Sequence, residues 1–377
     1  MDYRREFADF EGVAYLNCAT QGPIPLAAAT AAKAALEWKK RPDQIPASAY
    51  FEMPDRVRAK FAKIIAADAS EVAITAGATS GMTSVASGLD FQAGDEVIVA
   101  RGEFPAHFAT WFPYQKAGRV TLRVVPPRGK FIAPEDYIEQ FSARTRLVSA
   151  SFVRFDNGAR LDAARLANAC HDKGIPLLLD FSQSAGGIPI DVKSLGADFA
   201  VASGYKWLFG PYGTGFFWVS AEWAERLQLG PVNWTAIEGS DNFSALPLDQ
   251  LKLAKGARRW DAPETGNFTN LTALEASLDL ILRIGVEAIA KYNLGLTTEL
   301  IERLPYDRVA LVSPADAEKR GPYVCIVARK PDETPKLFRR LASTEIVAAM
   351  RENAIRISPN IYNTSDHITR VIKSLSL

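Results

Sequence analysis

Short, wholly apolar runs separated by helix-like segments fill positions 71–219, and that alternation constrains the fold more than any single motif. Glu71–Thr75 (EVAIT), Glu96–Ala100 (EVIVA), Thr121–Val125, Leu147–Val153, Pro176–Phe181 (PLLLDF), Asp198–Ser203 (DFAVAS) and Gly215–Val219 (GFFWV) read as strands. Ser80–Gly88 opens as a helix, and Leu161–Asp172 has helical spacing and ends at Gly174. Strands that are apolar throughout leave no face for water, so helices must cover both sides of the sheet. Strands alternating with helices therefore predict an α/β protein with a mostly parallel sheet.

A second pattern follows. Leu271–Tyr292 reads as one long amphipathic helix interrupted at Gly285. Arg308–Val312, Tyr323–Ala328 and Ala354–Ile357 read as strands, and Pro335–Leu341 and Ser365–Leu375 as helices. The sequence thus predicts a large three-layer α/β/α module over 15–250 and a smaller α+β module over 271–377. An N-terminal extension (1–14) and a connecting loop (251–270) complete the 377 residues. No repeat and no Pro/Gly/Ser linker appears, so the two modules are expected to pack against each other.

Composition excludes several classes. Apolar residues make up 48% and charged residues 23%, which is ordinary globular usage and not that of a disordered or fibrous chain. Forty-four Lys and Arg against 43 Asp and Glu leave a net charge of +1, which gives no footprint for nucleic acid or an anionic membrane. Apolar stretches such as Ile175–Leu179 are far shorter than a bilayer span, and the charged first twelve residues lack the apolar run of a signal peptide. Cys18, Cys170 and Cys325 are few, widely spaced and outside any CxxC, so free thiols and a reducing, cytoplasmic setting are expected. Three histidines without HExxH or cysteine–histidine ligand spacing give no metal site.

The chemistry concentrates between Leu177 and Val219. Asp180 ends one buried strand, and Lys206 follows another, ahead of Trp207 and a Gly/Pro-rich loop. Ligands of open α/β sheets sit at the carboxyl ends of strands. A lysine there is partly desolvated, which favours its neutral, nucleophilic form. An acid and a lysine on two strand ends suit pyridoxal phosphate, with the lysine forming the aldimine and the carboxylate keeping the pyridine nitrogen protonated. A structural Asp–Lys ion pair at the sheet edge is the competing reading. Gly77-Ala78-Thr79-Ser80-Gly81 follows a strand and opens a helix, so its free N–H groups and hydroxyls make an anion site; a plain N-cap is the alternative. The segment matches neither GxGxxG nor GxxxxGK[ST], and no GxSxG occurs, so dinucleotide, nucleoside triphosphate and nucleophile-elbow readings lack their fingerprints.

Tyr15-Leu16-Asn17 with Gly22-Pro23-Ile24-Pro25, Asp180-x-x-Gln183, Ser203-Gly204-Tyr205-Lys206-Trp207, and Arg356-Ile357-Ser358-Pro359 with Tyr362-Asn363-Thr364 carry a resemblance across nearly the whole chain. It is similar to the class V aminotransferases of the fold-type-I pyridoxal phosphate superfamily, which includes cysteine desulfurases, kynureninases and isopenicillin-N-epimerase-like proteins. The resemblance implies that Lys206 holds pyridoxal 5'-phosphate as an internal aldimine and shuttles the α-proton, that Asp180 pairs with the pyridine nitrogen, and that Gln183 bonds the phenolic oxygen. It gives Ala78 and Thr79 to the phosphate, with Ser203 and Tyr205 closing the cup. Tyr205 stands where many relatives have histidine, closer to the kynureninase-like pattern. Phe104 stands where the family places a ring over the cofactor, and phenylalanine offers stacking without proton transfer; a core side chain is the alternative. His107, three residues on, is expected to approach the site.

The same resemblance gives Arg356 to the substrate α-carboxylate. It makes Arg154, Asp156 and Asn157 candidates for a contact to the cofactor oxygen. It predicts a homodimer in which Pro263–Asn270 reaches the other subunit's phosphate through Thr265, Asn267 or Thr269. Desulfurases carry a nucleophilic cysteine before the C-terminal arginine, but Leu341–Arg356 has none, and Cys18 is the only thiol placed near the site. Transamination of an amino acid or amine is the expected reaction, with racemisation, epimerisation or lyase chemistry next. A non-catalytic regulator on this fold is disfavoured by the complete Asp180, Gln183 and Lys206 set. The 14 residues before Tyr15 are also too few for a DNA-binding module.

Overall fold

The computed structural model describes residues 3–228, 232–242, 245 and 249–376; position 377, the end of the expected small module, lies outside them. Two helices absent from the sequence reading, α1 (Leu26–Lys40) and α2 (Glu52–Ile64), precede the central sheet. The sheet comprises β1 (Val72–Thr75), β2 (Asp95–Ala100), β3 (Val120–Val125), β4 (Thr145–Ser151), β5 (Leu177–Asp180), β6 (Phe199–Ser203) and β7 (Gly215–Val219). Helices α3 (Ala78–Gly88) and α4 (Ala163–His171) are among those between strands. Spatial order is β1-β7-β6-β5-β4-β2-β3. Every residue of β1, β2, β5, β6 and β7 is buried, as a sheet covered on both faces requires. Only the edge strand β3 alternates with water.

Neighbours from β3 to β6 are parallel, whereas β7 is antiparallel to both β6 and β1. The reversal has a local cause. A parallel return needs a crossover of a dozen or more residues, usually a helix. The link from β6 to β7 is instead a tight loop, closed where Gly204 N donates to the Thr214 carbonyl at 2.8 Å. Helix α3 lies close on β6 because Gly81 has no side chain; a Cβ there would meet Val201 Cγ1 at 2.6 Å.

The predicted helix over Leu271–Tyr292 is two helices, α5 (Phe268–Ile284) and α6 (Val286–Glu302). Gly285, at φ +88°, ends one and starts the next, a backbone conformation that glycine adopts without cost. Helix α5 packs on α1 and α2 beside the central sheet. Beyond α6, strands β8 (Val309–Leu311), β9 (Val324–Ala328), β10 (Ala349–Arg351) and β11 (Ala354–Ile357) form an antiparallel sheet in the order β10-β11-β9-β8. Helices α7 (Thr334–Ser343) and α8 (Ser365–Ser376) pack against each other, and α8 also against α6.

The N-terminal segment joins the two sheets. Ala14–Tyr15 pairs with Ile346–Val347, and Asn17 bridges to Ser358, all on the small-sheet side. Gly22 N then donates to the Tyr205 carbonyl at 2.9 Å, beside Lys206.

Candidate active site

Strands β1, β2, β4, β5 and β6 point one way, so Thr75, Ala100, Ser151, Asp180 and Ser203 finish along one edge of the sheet. Register puts Ser151 beside Asp180, and Gly215 between Ser203 and Thr75. Lys206 stands three residues beyond Ser203 and is 6% exposed. Burial pushes its ammonium down to about 8, against the opposing pull of Asp180 and with help from Arg356 and Arg351. Its Nζ lies 5.3 Å from the centre of the Phe104 ring and 5.6 Å from that of Tyr205. Phe104 is 39% exposed and touches Phe155 edge-on, so it faces the cleft and is no core residue.

Asp180 is 6% exposed, and its charge is held by neighbours. Burial alone would raise its carboxyl, but His107, the Ser182 N–H and Lys206 overcome this and hold it below the usual carboxylate range. Ser182 N donates to Oδ1 at 2.7 Å, and His107 Nε2 lies 3.6 Å from Oδ2. The fully buried imidazole has its Nδ1 at 2.8 Å from Ser149 Oγ and its Nε2 at 3.9 Å from Glu103 Oε2. Burial works against the imidazolium, yet the carboxylates of Glu103 and Asp180 raise it above the usual histidine value. Glu103 in turn accepts from Ser151 N and Oγ and lies 3.2 Å from Arg154 Nη1. Arg154 also binds Asp156 and the carbonyls of Arg101 and Gly102. A chain of alternating charge, Asp180–His107–Glu103–Arg154–Asp156, therefore runs from the strand edge to the half-buried Asp156 in the loop after β4.

His107 reaches the site as expected, but Glu103, Ser149 and Ser151 went unread. Their signal was available: Ser149 and Ser151 put two hydroxyls on one face of an apolar strand, and buried polar groups need partners. Of the three candidates for a cofactor contact, Arg154 and Asp156 are paired with each other, and Asn157 accepts from Ala159 N.

Ala78 and Thr79 begin α3 behind Gly77, and among the described residues no side chain caps that helix, so the N–H groups of Ala78 and Thr79 are open to an anion, while Ser80 N bonds the Gly77 carbonyl at 3.1 Å. Ser203 is tied to Ser182 through Oγ, and the Tyr205 ring lies against that of Tyr212, tilted by 43°. Gln183 donates to the Ala19 carbonyl at 3.0 Å and accepts from Trp207 Nε1 at 3.0 Å, which leaves one amide proton for another acceptor. Thr265 is buried in a cavity with Thr75, Ala76 and Thr214, near the start of α3, and gives its hydroxyl to the Ala262 carbonyl. Arg356 is 1% exposed on β11, with Nη1 on the Phe155 carbonyl at 3.1 Å and Nη2 on Thr20 Oγ1 at 2.7 Å. Burial pushes all three thiols up to about 12. Among the described residues no group of His, Cys, Asp and Glu is placed to hold a metal ion, and no helix is long and apolar enough to cross a membrane.

The family model described as Aminotransferase class-V matches residues 47–371, and the chain belongs to that family. It is 29% identical to an uncharacterized aminotransferase of Bacillus subtilis, over 86% of this chain and 84% of the relative. It is 28% identical to a probable cysteine desulfurase of Methanothermobacter thermautotrophicus, over 97% of this chain and 95% of the relative. A solved C-DES mutant with glycine covalently linked to its PLP cofactor superposes with a TM-score of 0.89 at 21% identity, covering 100% of this chain and 99% of that one, a likeness of fold. Membership brings pyridoxal 5'-phosphate as the cofactor, and the residues fit it. The uncapped start of α3 suits a phosphate, Lys206 offers a desolvated amine, Asp180 a carboxylate kept charged, and Phe104 an exposed ring facing that amine.

Proposed function

We propose that this class V enzyme acts on an α-amino acid and that its reaction is transamination. The observation that carries the reading is the buried Lys206, whose ammonium sits near 8 and whose Nζ faces the Phe104 ring beside a charged Asp180. When bound, the cofactor supplies the sink for the electron pair left as a bond to the substrate Cα breaks. Lys206 Nζ would hold the cofactor and, as a free amine, would move the proton at the substrate Cα. Asp180 holds the proton on the pyridine nitrogen, and the His107–Glu103 pair holds Asp180 ionised. The free amide proton of Gln183 goes to the phenolic oxygen. The N–H groups of Ala78 and Thr79, with Ser203 and Tyr205, bind the phosphate, and Phe104 covers the ring. Arg356 would take the α-carboxylate with two parallel hydrogen bonds and so orient the bonds at Cα.

Desulfurase chemistry needs a mobile thiolate, and three buried thiols near 12 argue against it. The same reading makes the protein a cytoplasmic homodimer with Thr265 close to the partner's phosphate. The test is a panel of amino acids and their decarboxylated amines mixed with holoenzyme, followed by cofactor absorption and by mass spectrometry of products. Conversion of an amino acid to its 2-oxo acid, with the cofactor left in its amine form, supports transamination. Recovery of inverted amino acid, or of a cleaved side chain, contradicts it.

A further inference from the structure

Two guanidinium groups converge on one neutral oxygen at the mouth of this site. Arg356 Nη2 donates to Thr20 Oγ1 at 2.7 Å, and Arg351 Nη2 donates to the same oxygen at 2.9 Å. The two cations thus stand within two hydrogen-bond lengths of each other. The strand register dictates this. In the β10–β11 hairpin Ala349 faces Arg356 and Arg351 faces Ala354, so both arginines project from one face as diagonal neighbours. Like charges this close repel, and a protein that keeps them together normally places an acid between them.

Here, among the described residues, neither arginine forms an ion pair with an acid. Arg351 hydrogen-bonds Thr20 and the Met350 carbonyl; Arg356 hydrogen-bonds Thr20 and the Phe155 carbonyl and lies 5.6 Å over the Tyr323 ring, a neutral partner. Among the described residues the Nε of the buried Arg356 has no hydrogen-bond partner. Burial, with Arg351 adding to it and Tyr323 opposing, pushes the Arg356 guanidinium down from its usual value. Lys206 also feels both arginines, so all three cations share one space. The Asp180, Glu103 and Asp156 carboxylates are already matched by His107 and Arg154. One substrate carboxylate neutralises one arginine and leaves the second bare.

We propose that Arg351 is a specificity residue that selects amino acids with a second anionic group on a short side chain, as in four- or five-carbon dicarboxylic amino acids. The proposal rests on the reading of Arg356 as the α-carboxylate clamp. Thr20 acts as the neutral placeholder that spaces the two forks until both anions arrive. Arg351, half-buried at the end of its strand, is the outer of the two, since Arg356 is 1% exposed.

The test uses holoenzyme, Arg351→Met and Arg351→Lys, with aspartate and glutamate set against asparagine and glutamine. A charged hydrogen-bond pair sets the scale, so Arg351→Met is expected to lower kcat/KM for the acids about ten- to a hundredfold and to leave the amides nearly unchanged. Arg351→Lys should retain part of the preference, because it keeps the charge and loses the fork. Binding of succinate against butyrate, measured by calorimetry, gives a readout without turnover. Succinate should bind tighter in the native protein, and that margin should collapse in Arg351→Met. Equal use of acids and amides by the native enzyme, or equal losses on both in Arg351→Met, overturns the proposal and leaves the amino-acid reading intact. If no amino acid perturbs the cofactor while amines do, the α-carboxylate reading falls and this proposal falls with it.

Discussion

Replacing His107 by phenylalanine isolates the means by which Asp180 keeps its charge. The imidazole is fully buried, with Nε2 3.6 Å from Asp180 Oδ2 and Nδ1 2.8 Å from Ser149 Oγ. Against the burial that pushes Asp180 up, His107 is the largest opposing influence, ahead of the Ser182 N–H and Lys206. A hydrogen bond to a charged group contributes about 1.5–3 kcal/mol, equivalent to about one to two pKa units. The sign follows for each partner. Asp180 is depressed, so the stabilisation it confers is present above its ordinary value and lost as pH falls through the lower folded value. His107 is raised, so its contribution is full below pH 6.5 and disappears as pH rises through the higher folded value. In His107→Phe the carboxyl returns toward the ordinary range. The acidic limb of the kcat profile should therefore move up by about one to two pH units, and kcat should fall roughly ten- to a hundredfold. KM for the amino acid should change little, because His107 does not face the substrate side. The assay is steady-state kinetics between pH 5 and 9, with thermal unfolding as a control for the unpaired Ser149 hydroxyl. His107→Gln, which can hydrogen-bond but cannot carry charge, should show the same shift in smaller measure. A folded His107→Phe with native kcat and an unmoved acidic limb refutes the reasoning.

Three further outcomes follow from named contacts. Covalent loading of cofactor onto the apo protein needs a neutral Lys206 amine, so its rate should rise with pH to about 8 and then level off, whereas a lysine at the ordinary value would keep accelerating to about 10.5; stopped-flow absorption at several pH values reads this directly. A Cβ on Gly22 would stand 2.0 Å from the Lys206 carbonyl oxygen, so Gly22→Ala should cost about 1–3 kcal/mol in denaturant unfolding and weaken cofactor retention. The buried thiols near 12 should resist alkylation in native protein at pH 8 and form no persulfide during incubation with cysteine, and mass spectrometry of intact protein checks both.

Much of this was legible because it depends on local pattern. Runs such as LLLD and FAVAS can be buried only as interior strands, and the structure places them there within a residue or two of the expected bounds. The reversal of β7 could also have been read, since the Gly/Pro-rich stretch after Ser203 has no room for a crossover helix. Gly285 was seen as an interruption, but only three-dimensional packing shows that α5 leans on α1 and α2 while α6 turns to α8. The site divides the same way. Lys206 and Asp180 announce themselves by their place at the ends of apolar strands, and Phe104 is reached only through the family resemblance. The partners that tune them do not, because Glu103, Thr20 and Arg351 meet the site through strand order and hairpin register. Thr20 and Arg351 stand 331 positions apart and touch at 2.9 Å. No spacing rule carries such a contact.

The central claim is that Lys206 is the covalent anchor of the cofactor, and it is tested most directly by borohydride reduction of holoenzyme followed by peptide mapping. The expected result is a single pyridoxyl label on Lys206, absent from Lys206→Ala, which still folds and still binds the free cofactor weakly. A label on a different lysine, or a native protein that takes up no pyridoxal 5'-phosphate at all, contradicts it.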